Sequence, residues 1–176
     1  LARALEVAGT ALFSGALPEI KANSDVSIKV KDARGKLNIQ ATGSIRVEQI
    51  LGNNPVTPLK IGQIVAAQFS RDGQMLGAGV DSQGADLMRA YDVTISSLGG
   101  VIGTAASSRI LGAVVQIDGG QGLVLARVDS AAAGTGGLAA RAAGSVSLVE
   151  TSGDMRLVAA TAWTSGISID AGTDVR

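Results

Sequence analysis

Short segments in which apolar and polar residues alternate recur along most of this chain. Near the C-terminal end they occupy residues 146–148, 155–157 and 167–169, and each follows a small turn-forming residue. A period of two places the apolar side chains on one face, as in a half-buried β-strand. Gly permits positive φ cheaply, and Ser or Asp side chains can close turns on the nearby backbone. The pattern predicts short strands separated by tight turns.

The same segments repeat at a longer interval of about 20 residues. The spacing is 21 residues from Val146 to Ile167 and 19 from Val26 to Ile45. Further matches near this spacing are Val93 with Val114, Ile102 with Leu123, Ile117 with Leu138, and Asp154 with Asp174. Self-similarity at this period indicates a solenoid, whereas a β-sandwich would explain only the spacing of individual strands. The sequence therefore predicts an all-β parallel β-helix of eight or nine coils.

The two periods together predict which side chains face the interior. Val146, Leu148, Ile167 and Ile169 should point inward and stack on apolar residues one coil away. The residues expected to point outward are Arg46, Glu48, Arg156 and Ser168. Each coil would then bury its apolar face only against its neighbours.

Most of the remaining chain fits this plan, within a single unit comprising residues 1–176. Alternation is clear in residues 25–49 and returns in 91–142, where the glycines and the period favour strand for the Ala-rich run 138–143. Residues 1–22 are ambiguous. Either Leu1, Leu5, Ala8 and Leu12 form a short helix, or two strands flank Gly9.

Residues 50–90 interrupt the pattern. The segment begins with loop-forming Asn and Pro residues and contains repeated glycines, although residues 61–69 could form a strand. We expect an irregular insertion or several loop-rich coils. Because loops on a rigid scaffold often carry binding residues, this segment is the place to look for a contact surface.

Composition excludes several kinds of function. The 176 residues include 15 basic and 15 acidic side chains, so net charge gives no case for nucleic acid or an anionic membrane. The chain has no Cys and no His, which removes thiolate and imidazole chemistry. No apolar run is long enough to span a membrane. Aromatic residues are only 2%, so Val, Ile, Leu and Ala must fill the core.

The polar residues give no convincing catalytic or cofactor-binding constellation. The acidic residues considered are Asp72, Asp81, Asp86, Asp92, Asp118, Asp129, Glu150 and Asp154, and turn positions explain them without catalysis. A basic cluster of Lys29, Lys31, Arg34 and Lys36 is best explained as a solvated outer face. Two glycine motifs, at 99–103 and 119–122, lack the residues that phosphate binding needs. We expect no catalytic residue, cofactor or metal.

Several segments resemble the repeat regions of large bacterial exoproteins of the filamentous haemagglutinin type. The resemblance rests on GGVIGTA at 99–105, AAGSVSLVET at 142–151, GDMRL at 153–157 and GISIDAG at 166–172. It covers residues 91–176, covers 24–49 more loosely, and does not extend to 50–90. It implies a right-handed parallel β-helix that serves as an extracellular or cell-surface shaft. Secretion-domain motifs of the Asn-Pro-Asn type are absent from the sequence, and 53–55 does not fit them.

The leading hypothesis is a structural shaft segment of a secreted or surface-attached bacterial adhesin, with a host or cell-surface glycan or protein as a further partner. The alternatives are a β-helical enzyme acting on polysaccharide and a binding module that uses residues 50–90. The motif Asp154-Met155-Arg156-Leu157 recurs when Asp174-Val175-Arg176 is followed by Leu1. This match predicts tandem units or identical copies stacked end to end.

Overall fold

The protein is a parallel β-solenoid of about six turns in which corresponding strands lie roughly 22 residues apart. The computed structural model describes residues 10–53, 55–69, 87–130 and 136–176, and these contain no helix. The strands are β1 Thr10–Ala16, β2 Glu19–Ala22, β3 Val26–Arg34, β4 Leu37–Ala41, β5 Ile45–Gln49, β6 Leu59–Phe69, β7 Leu87–Ala90, β8 Val93–Ser96, β9 Val101–Gly103, β10 Arg109–Leu111, β11 Val114–Asp118, β12 Val124–Asp129, β13 Gly137–Ala142, β14 Val146–Glu150, β15 Leu157–Ala162 and β16 Ile167–Asp170.

The strands form two sheets between which the chain alternates. Sheet A has the order β1-β3-β5-β8-β11-β13-β15, and sheet B has the order β16-β14-β12-β10-β6-β4-β2. The short strand β9 also belongs to sheet B, where it pairs with β6 and β12. One strand from each sheet and the two corners that join them make one turn, so every turn stacks directly on the next.

Ladders of aliphatic side chains fill the space between the sheets. One ladder in sheet A runs through Val26, Ile45, Val93, Val115 and Leu138, which are paired in successive strands and almost fully buried. Small and branched side chains suit this narrow interior, as the scarcity of aromatic residues suggests. The inward apolar residues of successive strands therefore stack into a continuous core, while the polar residues that alternate with them face outward.

Glycines occupy corners where successive turns approach closely. A Cβ on Gly122 would collide with the carbonyl of Gly99, and a Cβ on Gly144 would lie 2.7 Å from the carbonyl oxygen of Gly122. The backbone of Gly144 also donates to that oxygen at 2.7 Å. The glycine motifs at 99–103 and 119–122 thus lie at or beside corners of the solenoid, where they permit close stacking.

The segment between β5 and β8 departs from the regular repeat. Ile45 pairs directly with Val93, so 48 residues separate two neighbouring strands of sheet A. Within this segment, β6 belongs to sheet B and contributes buried Ile61 and Ile64 to the core. The end of β6 pairs with β7 in antiparallel fashion, unlike the other strand pairs in the described residues. The strand suggested at 61–69 therefore belongs to the body, and residues 54 and 70–86 of the expected insertion lie outside the described residues.

Two details of the predicted repeat are wrong. The chain makes about six turns rather than eight or nine, because the turn that includes residues 50–90 is long and the central turns exceed 20 residues. Three of the residue matches at 21 residues also differ from the observed pairing, since Val93 pairs with Val115, Ile102 with Leu125 and Ile117 with Ala140. The corners differ in length from turn to turn, and a fixed interval cannot follow them.

The inward register of the last turns is confirmed. Val146 pairs with Ile167 and Leu148 with Ile169, all in parallel strands, and both β14 residues are fully buried. Among the residues expected to face outward, Arg46 and Ser168 are exposed, whereas Glu48 and Arg156 are half-buried. Residues 10–16 form a strand rather than a helix, and residues 1–9 lie outside the described residues.

Candidate functional site

The coil formed by β15 and β16, called the terminal coil below, presents its inner face to solvent. Ile167 continues the ladder of Val124 and Val146, yet it is 47% exposed whereas both predecessors are 0% exposed. Ile169 and Leu157 pack on the core from one side and are only partly buried. The terminal coil therefore carries the same inward apolar pattern as the covered coils, and within the described residues no further strand of sheet A or sheet B covers its far side.

The edges of the terminal coil also offer backbone hydrogen-bonding groups. Within the described residues, β15 pairs with β13 and β16 pairs with β14, each along one side. Residues 174–176 begin a further level, because Met155 and Val175 form a parallel bridge and the Leu157 N–H donates to the Arg176 carbonyl at 2.9 Å. Asp154 holds this level through a 2.7 Å ion pair with Arg176. Beyond Leu157, the outer edge of β15 remains a template for another strand.

A second feature is a groove of about 430 Å³ on the outer face of sheet A, called the sheet A groove. It crosses β8, β11, β13 and β15. Its outward side chains form two ladders, one of Thr94, Gln116, Ala139 and Ala159, the other of Ser96, Asp118, Arg141 and Thr161. The small side chains of Ala139 and Ala159 leave the depression between longer polar neighbours.

An ion pair fixes the polar rim of the sheet A groove. Arg141 donates to one carboxylate oxygen of Asp118 through Nε at 3.0 Å and Nη2 at 2.6 Å. The other carboxylate oxygen accepts from the backbone N–H of Gly120 at 2.9 Å. Because Arg141 is largely exposed, its remaining N–H donors face solvent, and the carboxylate holds them in a defined orientation.

A third feature is a buried carboxyl group at a corner. Glu150 accepts hydrogen bonds from the backbone N–H of Ser130 at 2.9 Å and from its hydroxyl at 2.5 Å. Burial raises the pKa of Glu150 to about 7, and the nearby charge of Asp129 adds to the rise, while the hydrogen bonds from Ser130 oppose it. The Ser130 hydroxyl accepts a hydrogen bond from the Arg156 backbone N–H at 3.0 Å. Through Ser130, Glu150 therefore helps to join the end of β12, the end of β14 and the segment before β15.

The acidic and basic residues singled out in the sequence are dispersed over the solenoid. Lys29 lies outward in β3 and forms a 3.8 Å ion pair with Glu48, whereas Arg34 and Lys36 are exposed near a corner. Asp92 is also an exposed corner residue. Asp72, Asp81 and Asp86 lie outside the described residues.

The sequence pattern predicts turn positions for Asp129 and Glu150, but each is the last residue of a strand and is buried. Glu150 could have been identified by continuing the alternation, because it follows Val146 and Leu148 on the inward phase of β14. Asp118 and Arg141 could be paired only by knowing that β11 lies against β13 at a 23-residue offset.

Comparison with protein-family models, curated proteins and solved structures finds no match. Among the described residues, no group of three acidic, His or Cys side chains could hold a metal ion. The same part of the chain contains no helix with the length and hydropathy required to cross a membrane.

Proposed function

We propose that this chain is a structural shaft segment of a large secreted or surface-attached bacterial exoprotein, resembling adhesins of the filamentous haemagglutinin type. In this proposal the shaft acts without catalysis at the cell surface or outside the cell, and an identical copy stacks on the terminal coil. The stacked parallel coils support the shaft, since a solenoid transmits length through repeated local contacts.

The exposed inner face of the terminal coil carries the stacking proposal. Ile167 has the same position in its ladder as buried Val146, so covering it with another coil would remove apolar surface from water. The open edges of β15 and β16 would gain strand partners in the same step. A contact between unlike ends of identical copies does not close on itself and generates a filament.

Light scattering coupled to size-exclusion chromatography, over a series of protein concentrations, tests the proposal. We expect the average mass to rise with concentration for the parent chain. The double change Ile167→Lys and Ile169→Lys places charges on the inner face and should keep the protein monomeric. Ser168→Lys adds a charge on the opposite face of the same strand and should leave assembly unchanged.

Two results would contradict stacking through the terminal coil. One is a parent chain that stays monomeric at the highest concentration reached. The other is equal assembly of the parent and the double variant, which would place any self-association on another surface.

A further inference from the structure

The sheet A groove combines small side chains with several hydrogen-bonding groups and one ion pair. We propose that it binds an uncharged oligosaccharide chain lying across β8, β11, β13 and β15. Four neighbouring strands give the groove a span of about 14 Å, and its volume lies within the range of small-molecule sites. This proposal concerns the flank of the solenoid and is independent of stacking through the terminal coil.

Hydrogen-bonding groups line the groove in the mixture that a sugar requires. Gln116 offers both a carbonyl and an amide, and the hydroxyls of Thr94 and Thr161 can donate or accept. The Asp118 carboxylate fixes the Arg141 guanidinium through two contacts at 3.0 and 2.6 Å. The remaining Arg141 donors therefore form a planar fork suited to neighbouring sugar hydroxyls, with little ordering required on binding.

The charge balance of the groove favours an uncharged ligand. Asp118 and Arg141 are the two charged residues of its lining, and their ion pair cancels their net charge. A polyanion would gain from Arg141 but would meet the carboxylate beside it. The exposed basic residues Arg34 and Lys36 lie near a corner of earlier turns, outside the groove lining.

Trp163 is an exposed aromatic residue that follows β15, two residues beyond Thr161 of the groove lining. Its backbone N–H donates to the Ala142 carbonyl at 3.3 Å, which continues the pairing of β15 beside β13. Alternation from Ala159 through Thr161 places Trp163 on the same outer side, and its side chain is 62% exposed. In the free protein, the exposed indole keeps a large apolar surface in contact with water, which is unfavourable. Stacking against the C–H face of a sugar ring would remove part of that surface from water.

The experiment is titration of the full chain with uncharged oligosaccharides, followed by amide chemical shifts in NMR spectra. The panel contains gluco-, galacto-, manno- and N-acetylglucosamine oligomers, with oligogalacturonate and heparin fragments as charged comparators. We expect an uncharged oligomer to shift the resonances of Gln116, Arg141 and Thr161, and Trp163 fluorescence to change over the same concentration range.

Matched variants locate the binding site. Arg141→Ala and Trp163→Ala should each weaken binding by roughly tenfold, the effect of losing a charge-assisted hydrogen bond or an aromatic contact. Ala139→Leu should also weaken binding by filling the groove. The controls are Arg34→Ala, which removes an exposed cation elsewhere, and Leu51→Ala, which removes an exposed apolar side chain from a loop.

Three outcomes would contradict oligosaccharide binding in the sheet A groove. Unchanged binding in Arg141→Ala, Trp163→Ala and Ala139→Leu would overturn the assignment to the groove. Binding of the charged comparators alone would overturn the choice of an uncharged ligand, and no shifts with any oligomer would overturn both. Light scattering of the same variants should match the parent chain, so a failure of glycan binding is distinguishable from a failure of stacking.

Discussion

The covered coil of β13 and β14 and the terminal coil of β15 and β16 share one pattern but differ in environment. Val146 is completely buried, whereas its partner Ile167 is nearly half exposed. Both residues have the same phase in a short alternating strand. The difference shows that the strand pattern selects an inward face, while burial of that face depends on the next coil.

The corner glycines also differ between a covered turn and the terminal coil. A Cβ on Gly144 would press on the Gly122 carbonyl, whereas a Cβ on Gly166 would meet no atom within 4 Å. Gly166 pairs with the corner beneath it through the Val146 N–H at 3.2 Å. Close packing constrains a corner glycine only when a neighbouring turn lies against the position of its missing side chain.

The largest predicted contrast comes from placing a charge at paired positions. Val146→Asp should lower the free energy of unfolding by about 4 kcal/mol or more, because it buries an unpaired carboxylate. Ile167→Asp should cost about 1 kcal/mol or less in the monomer, where water reaches the site. Urea unfolding at low protein concentration measures both values, and equal losses would contradict the difference in environment.

A buried carboxyl group inside the covered coil provides a pH-dependent test. The pKa of Glu150 rises from 4.5 to about 7 on folding, so folded protein retains a proton that unfolded protein releases. The contribution of Glu150 to the free energy of unfolding should therefore be largest below about pH 4.5 and should be lost as the pH rises through about 7. For this group alone, the decline is of order 3 kcal/mol.

Glu150→Gln should remove that decline. Its amide oxygen can still accept the backbone N–H of Ser130, and its amide nitrogen can donate to the serine hydroxyl. We expect the variant to exceed the parent in stability at pH 8 and to approach it at pH 5, measured by urea unfolding. Asp170→Asn, at an exposed position in β16, serves as the control. A parallel pH dependence in parent and Glu150→Gln would show that Glu150 is not the group responsible.

A smaller contrast concerns the corners. Gly122→Ala should destabilise the protein by about 2 kcal/mol, because the new methyl group collides with the Gly99 carbonyl. Gly166→Ala meets open space and should change stability by about 0.5 kcal/mol or less. Thermal unfolding followed by circular dichroism checks both, and similar melting temperatures for the two variants would refute the close-approach explanation.

The smallest expected effect is at the exposed ion pair of the sheet A groove. Asp118→Asn should lower the free energy of unfolding by less than about 1 kcal/mol, because water and salt screen a pair on the outer face. Urea unfolding at low and high salt measures this. A loss comparable to that of Val146→Asp would mean that the outer face contributes to stability as the interior does.

The sequence predicted the fold class because two periods were readable in it. Alternation identified the inward residues of β14, and the intervals from Val26 to Ile45 and from Val146 to Ile167 match the observed pairing. These turns have short corners, so the residue count between equivalent strand positions stays near 20.

The register of the central turns could not be predicted in the same way. Val114, which the 21-residue interval matches to Val93, is partly exposed, and the residue that pairs with Val93 is its neighbour Val115. An error of one residue exchanges the inner and outer faces of a strand. Pairing Val93 with Val114 would place Thr94 beside an inward residue. The residues that line the sheet A groove could therefore not be predicted from the sequence alone.

Hydrogen exchange of the amides in the terminal coil tests whether its inner face is open in the monomer and becomes covered when copies stack. Peptides covering residues 157–170 should gain protection as protein concentration rises, while peptides from β11 and β12 should keep constant, high protection. The Ile167→Lys and Ile169→Lys double variant should lose the concentration dependence. Protection in 157–170 that does not change while the parent chain assembles would contradict stacking through the terminal coil.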